Sequence, residues 1–221
     1  TDGVETAAVT VTGDADLTVS SLDALVATLT SSAFTGDLTL TSDRTLAFTA
    51  TTGAGADTIT SSSTAAQIIS TGDGNDSYTG GSTVADSITL GGGTDSVTIA
   101  TANLTSVDTI AGGAGTDSIV LSDNATVVDA DFTLVTGVET VSYGTNTMTL
   151  TLGAASMAAG VVTVTDGTGA ATITPGAGHT SALTVALSTG NDTVAGTAYT
   201  GVLTVTADID SITTNDTITG G

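Results

Sequence analysis

Apolar and polar residues alternate with period two through much of this chain. Leu38-Thr-Leu-Thr41, Thr147-Met-Thr-Leu-Thr-Leu152 and Val161-Val-Thr-Val-Thr165 are the clearest runs. Their β-branched content and alternation predict short strands with one face inward. Gly, Asp and Ser clusters between the runs read as turns. Two segments are open. Leu22, Leu25, Val26 and Leu29 have helical spacing, but the stretch is short and contains Val and Thr, so a turn inside a coil fits equally well. Ala154-Ala-Ser-Met-Ala-Ala159 is likewise undecided. Aromatic residues make up only 3% of the chain, so the inward side chains are Val, Ile, Leu and Ala and the core is narrow. Narrow cores suit solenoids, where each coil touches only its neighbours.

A second pattern overlies the first. Gly53-Ala-Gly-Ala-Asp57, Gly72-Asp-Gly-Asn-Asp76, Gly91-Gly-Gly-Thr-Asp95 and Gly113-Ala-Gly-Thr-Asp117 repeat one phrase at intervals of 19, 19 and 22 residues. Each aspartate is followed by Thr or Ser and then by Ile59, Tyr78, Val97 or Ile119. A nonapeptide used twice per coil would give about 18, so each interval fits one coil plus a small insertion. The aspartates are therefore expected to stack. The glycines at alternate positions, Gly53 and Gly55, Gly72 and Gly74, Gly91 and Gly93, Gly113 and Gly115, allow backbone angles that residues with a Cβ avoid. A turn built on them is expected to aim carbonyl oxygens to one side, beside the carboxylates of Asp57, Asp76, Asp95 and Asp117. Such an oxygen set suits Ca²⁺ better than Mg²⁺, and zinc or copper would want His or Cys. Weaker phrases at Asp86 and Asp108 fall on the opposite edge of the coils and read as structural turns. Asp73 and Asn75 lie inside a candidate loop, as added oxygens or as solvated turn residues.

A longer repeat is also present. Gly3-Val-Glu-Thr6 recurs at Gly137-Val-Glu-Thr140, and Thr52-Gly-Ala-Gly-Ala-Asp57-Thr-Ile recurs, shortened, at Thr189-Gly-Asn-Asp192-Thr-Val. The offsets, 134 and 135 residues, define a unit seen once in full and once in part. This divides the chain into a Thr-rich solenoid part at 1–50, a glycine-aspartate roll at 51–122 and a second, partial copy at 123–221. Glu5 and Glu139 occupy equivalent places and read as structural.

Charge narrows the function. The chain carries 23 Asp and Glu against one Arg or Lys, for a net charge of −22. Arg44 and His179 cannot build a basic patch, which excludes nucleic acid and an anionic membrane surface as partners. Self-repulsion at this charge calls for bound cations. Arg44 reads as a solvated partner of Asp43, and His179 as a loop residue. There is no cysteine, signal peptide or apolar span of membrane length. The repetitive ends suggest a fragment of a longer protein. No His-Glu-x-x-His or Gly-x-Ser-x-Gly phrase occurs, and Arg44 alone is poor material for a polysaccharide lyase, so the chain reads as non-catalytic. A threonine array that orders water, as on ice-binding solenoids, would need one regular face; the Thr-x-Thr pairs read as scattered over irregular coils.

The phrases Gly112-Gly-Ala-Gly-Thr-Asp117-Ser-Ile-Val120 and Thr71-Gly-Asp-Gly-Asn-Asp76-Ser-Tyr-Thr79 resemble the glycine-aspartate nonapeptides of the RTX family. Residues 52–57 and 71–76 lack the first glycine, and Leu90 takes that place before Gly91. The resemblance implies an all-β, right-handed parallel β-solenoid or β-roll, calcium-triggered folding and export by type I secretion. Asp131-Phe-Thr-Leu-Val-Thr-Gly-Val-Glu-Thr-Val141 after such a patch, in a Thr/Ala-rich, nearly Lys-free chain, is similar to RTX-type surface-layer proteins of Gram-negative bacteria. That likeness implies a secreted, cell-surface structural module. Its partners would be other copies through lattice contacts, neighbouring domains, and lipopolysaccharide or another surface glycan. A large RTX adhesin is the alternative context, and an immunoglobulin-like sandwich over part of 123–187 is the alternative fold.

Overall fold

The computed structural model describes residues 7–208 and 210–221, so Glu5 lies outside the described residues. Three parallel sheets wind into one solenoid. The first sheet takes seven strands: Ala7–Thr10, Val26–Thr30, Phe48–Thr51, Gln67–Asp73, Ser87–Gly93, Thr109–Gly115 and Val135–Thr136. The second takes ten: Leu17–Leu22, Leu38–Ser42, Thr58–Ser61, Ser77–Gly80, Ser96–Ile99, Ser118–Leu121, Thr140–Tyr143, Thr163–Thr165, Leu183–Leu187 and Leu203–Ala207. The third takes five: Ala125–Val127, Met148–Leu152, Ala171–Pro175, Thr193–Ala195 and Thr217–Thr219. All pairings are parallel, which removes the antiparallel sandwich alternative for 123–187.

The alternation does what period two requires. In the second sheet Leu40, Ile59, Tyr78, Val97, Ile119, Val141, Val164 and Val185 pair in register and are buried. Burying each such side chain is worth about 1.5–3 kcal/mol, and the file runs the length of the rod. Tyr78 fits because its hydroxyl donates to Gln67 Oε1 at 2.7 Å. The open stretch at 22–29 is strand, split by a turn before Val26. Ala154–Ala159 is a short α-helix closed by Gly160, whose φ is 110°.

The outward positions correct one expectation. Thr18, Thr39, Thr58, Ser77, Ser96, Ser118, Thr140, Thr163, Thr184 and Thr204 form one in-register file across the second sheet. On this face the hydroxyls are therefore regular, while Thr172, Thr174, Thr217 and Thr219 lie on the third sheet. The varying coil length is absorbed at the corners, so strand register survives it. The 22-residue interval between Asp95 and Asp117 illustrates this, because its coil carries the 3₁₀ turn Thr101–Asn103.

Strands separated by the long-repeat offset fall on different sheets. Phe48–Thr51 is in the first sheet and Leu183–Leu187 in the second; Thr58–Ser61 is in the second and Thr193–Ala195 in the third. Equivalent segments thus sit one face further round the rod. The third face opens at Ala125–Val127, and the helix Ala154–Ala159 packs at Val135–Thr136, where the first face ends.

Arg44 differs from expectation, and His179 is the loop residue the sequence suggests. Arg44 is buried, and its guanidinium donates to the carbonyls of Ala47 and Ala24 at 2.7 and 2.6 Å rather than pairing with Asp43. His179 is fully buried in its loop, with Nε2 2.9 Å from the Val161 carbonyl and its ring against Tyr199. Both fill gaps where a long side chain covers backbone carbonyls that no strand pairs. No helix among the described residues is long and apolar enough to cross a membrane.

Candidate metal-binding edge

Asp57, Asp76, Asp95 and Asp117 occupy one corner, where the chain passes from the first sheet to the second. Their following residues pair in register, Thr58 with Ser77, Ser77 with Ser96, and Ser96 with Ser118. Each carboxylate bonds to the neighbouring coil. Oδ1 of Asp57 accepts the Leu38 N–H at 2.8 Å, Oδ1 of Asp76 the Asp57 N–H at 2.8 Å, Oδ1 of Asp95 the Asp76 N–H at 2.7 Å, and Oδ1 of Asp117 the Asp95 N–H at 2.9 Å. Glu139 extends the column by accepting the Asp117 N–H at 2.8 Å through Oε2. A corner backbone amide that a strand ladder cannot reach is thereby satisfied once per coil.

The second oxygen is different. Oδ2 of Asp57, Asp76, Asp95 and Asp117 is buried and has no hydrogen-bond partner. Leaving a buried charged oxygen unpaired costs several kcal/mol. Burial pushes the Asp76 carboxyl up to about 6, with further rise from the charges of Asp57 and Asp95, against the pull of the Asp57 N–H. Burial raises Asp57, Asp95 and Asp117 as well.

The opposite corner provides an internal comparison. Asp86 Oδ1 accepts the Gln67 N–H and Asp108 Oδ1 the Asp86 N–H, so the same ladder forms there. Here the other oxygen is satisfied within its own turn. Asp86 Oδ2 accepts the Ser82 N–H at 2.7 Å, and Asp108 Oδ2 accepts both the N–H and the hydroxyl of Thr105. These aspartates are structural turn residues with no oxygen to spare. The signal for a corner aspartate is therefore Asp-Ser/Thr-apolar, which also marks Asp192 and Asp216. The Ala171 N–H donates to Asp192 and the Asp192 N–H to Asp216. The second oxygen lacks a partner at 57, 76, 95 and 117, which follow the full glycine phrase, and also at Asp192, which ends its shortened copy.

The glycines stack too, though not as free turns. Gly72, Gly91 and Gly113 lie in register, as do Gly93 and Gly115, all within strands of the first sheet. A Cβ at Gly91, where φ is 108°, would stand 1.9 Å from the Gly72 carbonyl oxygen. Several of their backbone groups already pair between coils: Asp73 N–H with Gly53 O, Gly74 N–H with Gly92 O, and Thr116 N–H with Gly93 O. The expectation of carbonyls aimed freely to one side is corrected to this extent, because ladder pairing continues through the glycines. Each carbonyl oxygen keeps a second lone pair.

The place five residues before each aspartate decides how open the corner is. Thr52 and Thr71 fill it in the first two coils, their hydroxyls donating to the Thr71 and Leu90 carbonyls. Leu90, fully buried, fills it in the third. Gly112 takes it in the fourth, where a Cβ would be 1.8 Å from Gly137 O and 2.7 Å from Asp117 Oδ2. The Gly137 carbonyl and the free Asp117 oxygen thus both close on the place a side chain would take, next to Glu139. Among the described residues no three carboxylate or imidazole side chains gather as an ion-binding group. A cation held along this column must draw on backbone oxygens as well as the free Oδ2 atoms. Hard, anionic, unpartnered oxygens fit Ca²⁺, and Asp117 with Gly137 O fits it best. No family model matches the chain, and neither the curated proteins nor the solved structures give a match.

Proposed function

We propose that the chain is a non-catalytic, calcium-stabilised module of an extracellular surface protein, with Ca²⁺ seated along the Asp57–Asp76–Asp95–Asp117 edge. One observation carries this reading: four successive carboxylates share a corner and each keeps one buried oxygen without a partner. The net charge of −22 adds weight, since the chain has almost no cationic side chains of its own. Calcium would neutralise the edge, bridge coils and couple ion binding to folding. A rod of stacked parallel coils suits a load-bearing part of a surface-layer lattice. The RTX likeness of residues 71–79 and 112–120 supports that context and an export route in which the chain folds on meeting external calcium. The test is far-ultraviolet circular dichroism and thermal unfolding with calcium and with EGTA, together with ion counting. A rise in melting temperature with bound calcium supports the proposal. Identical curves with no bound ion refute it.

A further inference from the structure

A second set of unpartnered oxygens lies away from the four full glycine phrases, at the corner between the second and third sheets, where Asp192 ends the shortened phrase of the partial copy. The inward file that holds Ile99, Leu121 and Tyr143 continues to a carboxylate. One step beyond the paired Ser142 and Thr165 stand Tyr143 and Asp166. Asp166 is only 6% exposed, Tyr143 3% and Asp192 0%. Oδ1 of Asp166, Oδ2 of Asp192 and the Tyr143 hydroxyl are all buried without a hydrogen-bond partner. The two carboxyls lie within hydrogen-bonding reach of each other, and their charges both act on the Tyr143 phenol. The other oxygens are engaged: Asp192 Oδ1 accepts the Ala171 N–H at 2.9 Å, and Asp166 Oδ2 accepts the Ser188 N–H at 3.4 Å.

The corner is also lined by close-packed backbone. A Cβ at Gly167 would fall 1.4 Å from Gly144 O and 2.6 Å from Tyr143 O, and one at Gly190 would fall 2.5 Å from Gly169 O. At Gly190 the same point lies 2.8 Å from Asp192 Oδ1, so the Gly169 carbonyl borders that carboxylate. Two adjacent buried carboxylates without a counter-charge are strongly unfavourable. One shared proton would still leave a negative charge, whereas a divalent ion balances both. The geometry points to a buried divalent-cation site held by Asp166, Asp192 and the Tyr143 phenol oxygen, completed by turn carbonyls, for an oxygen-seeking ion of the calcium class. Nothing in it depends on the Asp57–Asp117 edge. Asp166 precedes its glycines and so lies outside the glycine-aspartate phrase.

The test uses the whole chain. Bound calcium is counted for the parent, for Asp166→Asn with Asp192→Asn, and for Asp117→Asn. Terbium emission sensitised by tyrosine is read in the same proteins. The double variant is expected to bind one ion fewer and to lose emission that Asp117→Asn retains. Tyr143→Phe, which keeps the packing, is expected to lower that emission and weaken binding of one ion several-fold. An unchanged ion count in the double variant and an unchanged titration in Tyr143→Phe overturn the proposal. So does a corner whose stability follows pH but not calcium, since the carboxyls then share a proton. Loss of ions in Asp117→Asn but not in the double variant leaves the glycine-phrase edge standing and removes this site; the reverse result does the opposite.

Discussion

Replacing Asp76 by Asn separates ladder from charge. The amide oxygen can still accept the Asp57 N–H, and the new NH₂ takes the place of the unpartnered Oδ2 beside Thr71. Burial holds the Asp76 carboxyl at about 6 against an ordinary 3.8. That rise corresponds to at most about 3 kcal/mol of penalty on the charged form at neutral pH, reduced by solvent screening. The new amide hydrogens recover part of that as a cost, of order 1 kcal/mol, unless the Thr71 hydroxyl accepts them. Without metal, Asp76→Asn is therefore expected to stabilise the chain by about 1–3 kcal/mol, which for this length raises the melting temperature by several degrees. With calcium present at a hundred times its dissociation constant, loss of one site removes about 2.7 kcal/mol. The advantage of the variant over the parent should therefore fall by about 2.7 kcal/mol on going from EGTA to calcium, to between about +0.3 and −1.7 kcal/mol. Thermal unfolding followed by circular dichroism reads both. A parent-variant difference that is the same in both buffers would refute the reasoning.

Three further outcomes follow from the same geometry. Gly91→Ala is expected to cost more than 2 kcal/mol in urea unfolding, because its φ of 108° and the Gly72 carbonyl 1.9 Å from the new Cβ leave no relaxation; Gly144→Ala, with nothing within 4 Å, is the near-neutral control. Metal-free protein should lose stability as pH rises from about 4 to about 6: the raised carboxyls of Asp57, Asp76, Asp95 and Asp117 hold their protons to higher pH in the folded than in the unfolded chain and ionise there at a cost. Asp129 runs the other way: although burial raises it, the N–H groups of Ser156 and Ala155 bring it below the ordinary value, so its contribution is lost as pH falls. Melting temperature against pH in EGTA measures the balance. Arg44→Lys should destabilise by about 1–3 kcal/mol in the same urea assay, since a lysine cannot serve the Ala24 and Ala47 carbonyls together.

Much of the fold was legible because two periodicities coincide. Alternation gave the strands, and the spacing of Asp57, Asp76, Asp95 and Asp117 gave one coil per phrase, as the register of Thr58, Ser77, Ser96 and Ser118 bears out. The regular hydroxyl file was not legible, because unequal intervals hide a register that corner insertions leave intact. The third sheet was equally hidden: local sequence says that Thr193–Ala195 is a strand but not which face it joins. Arg44 was misread and the burial of His179 in its loop was not legible, because burial of a polar side chain depends on carbonyls brought near by distant turns. At the glycine-phrase edge, the aspartates were readable, but the split roles of Oδ1 and Oδ2 were not. That split depends on whether a Ser82- or Thr105-type turn reaches back to the carboxylate.

The central claim is that the free oxygens of this column hold metal. Anomalous diffraction from crystals grown with calcium tests it most directly. The account expects density for an ion beside Oδ2 of Asp117 and within coordination distance of the Gly137 carbonyl, with further ions along the same corner. A map with no ion there, and those oxygens bonded only to water or protein N–H groups, would contradict it.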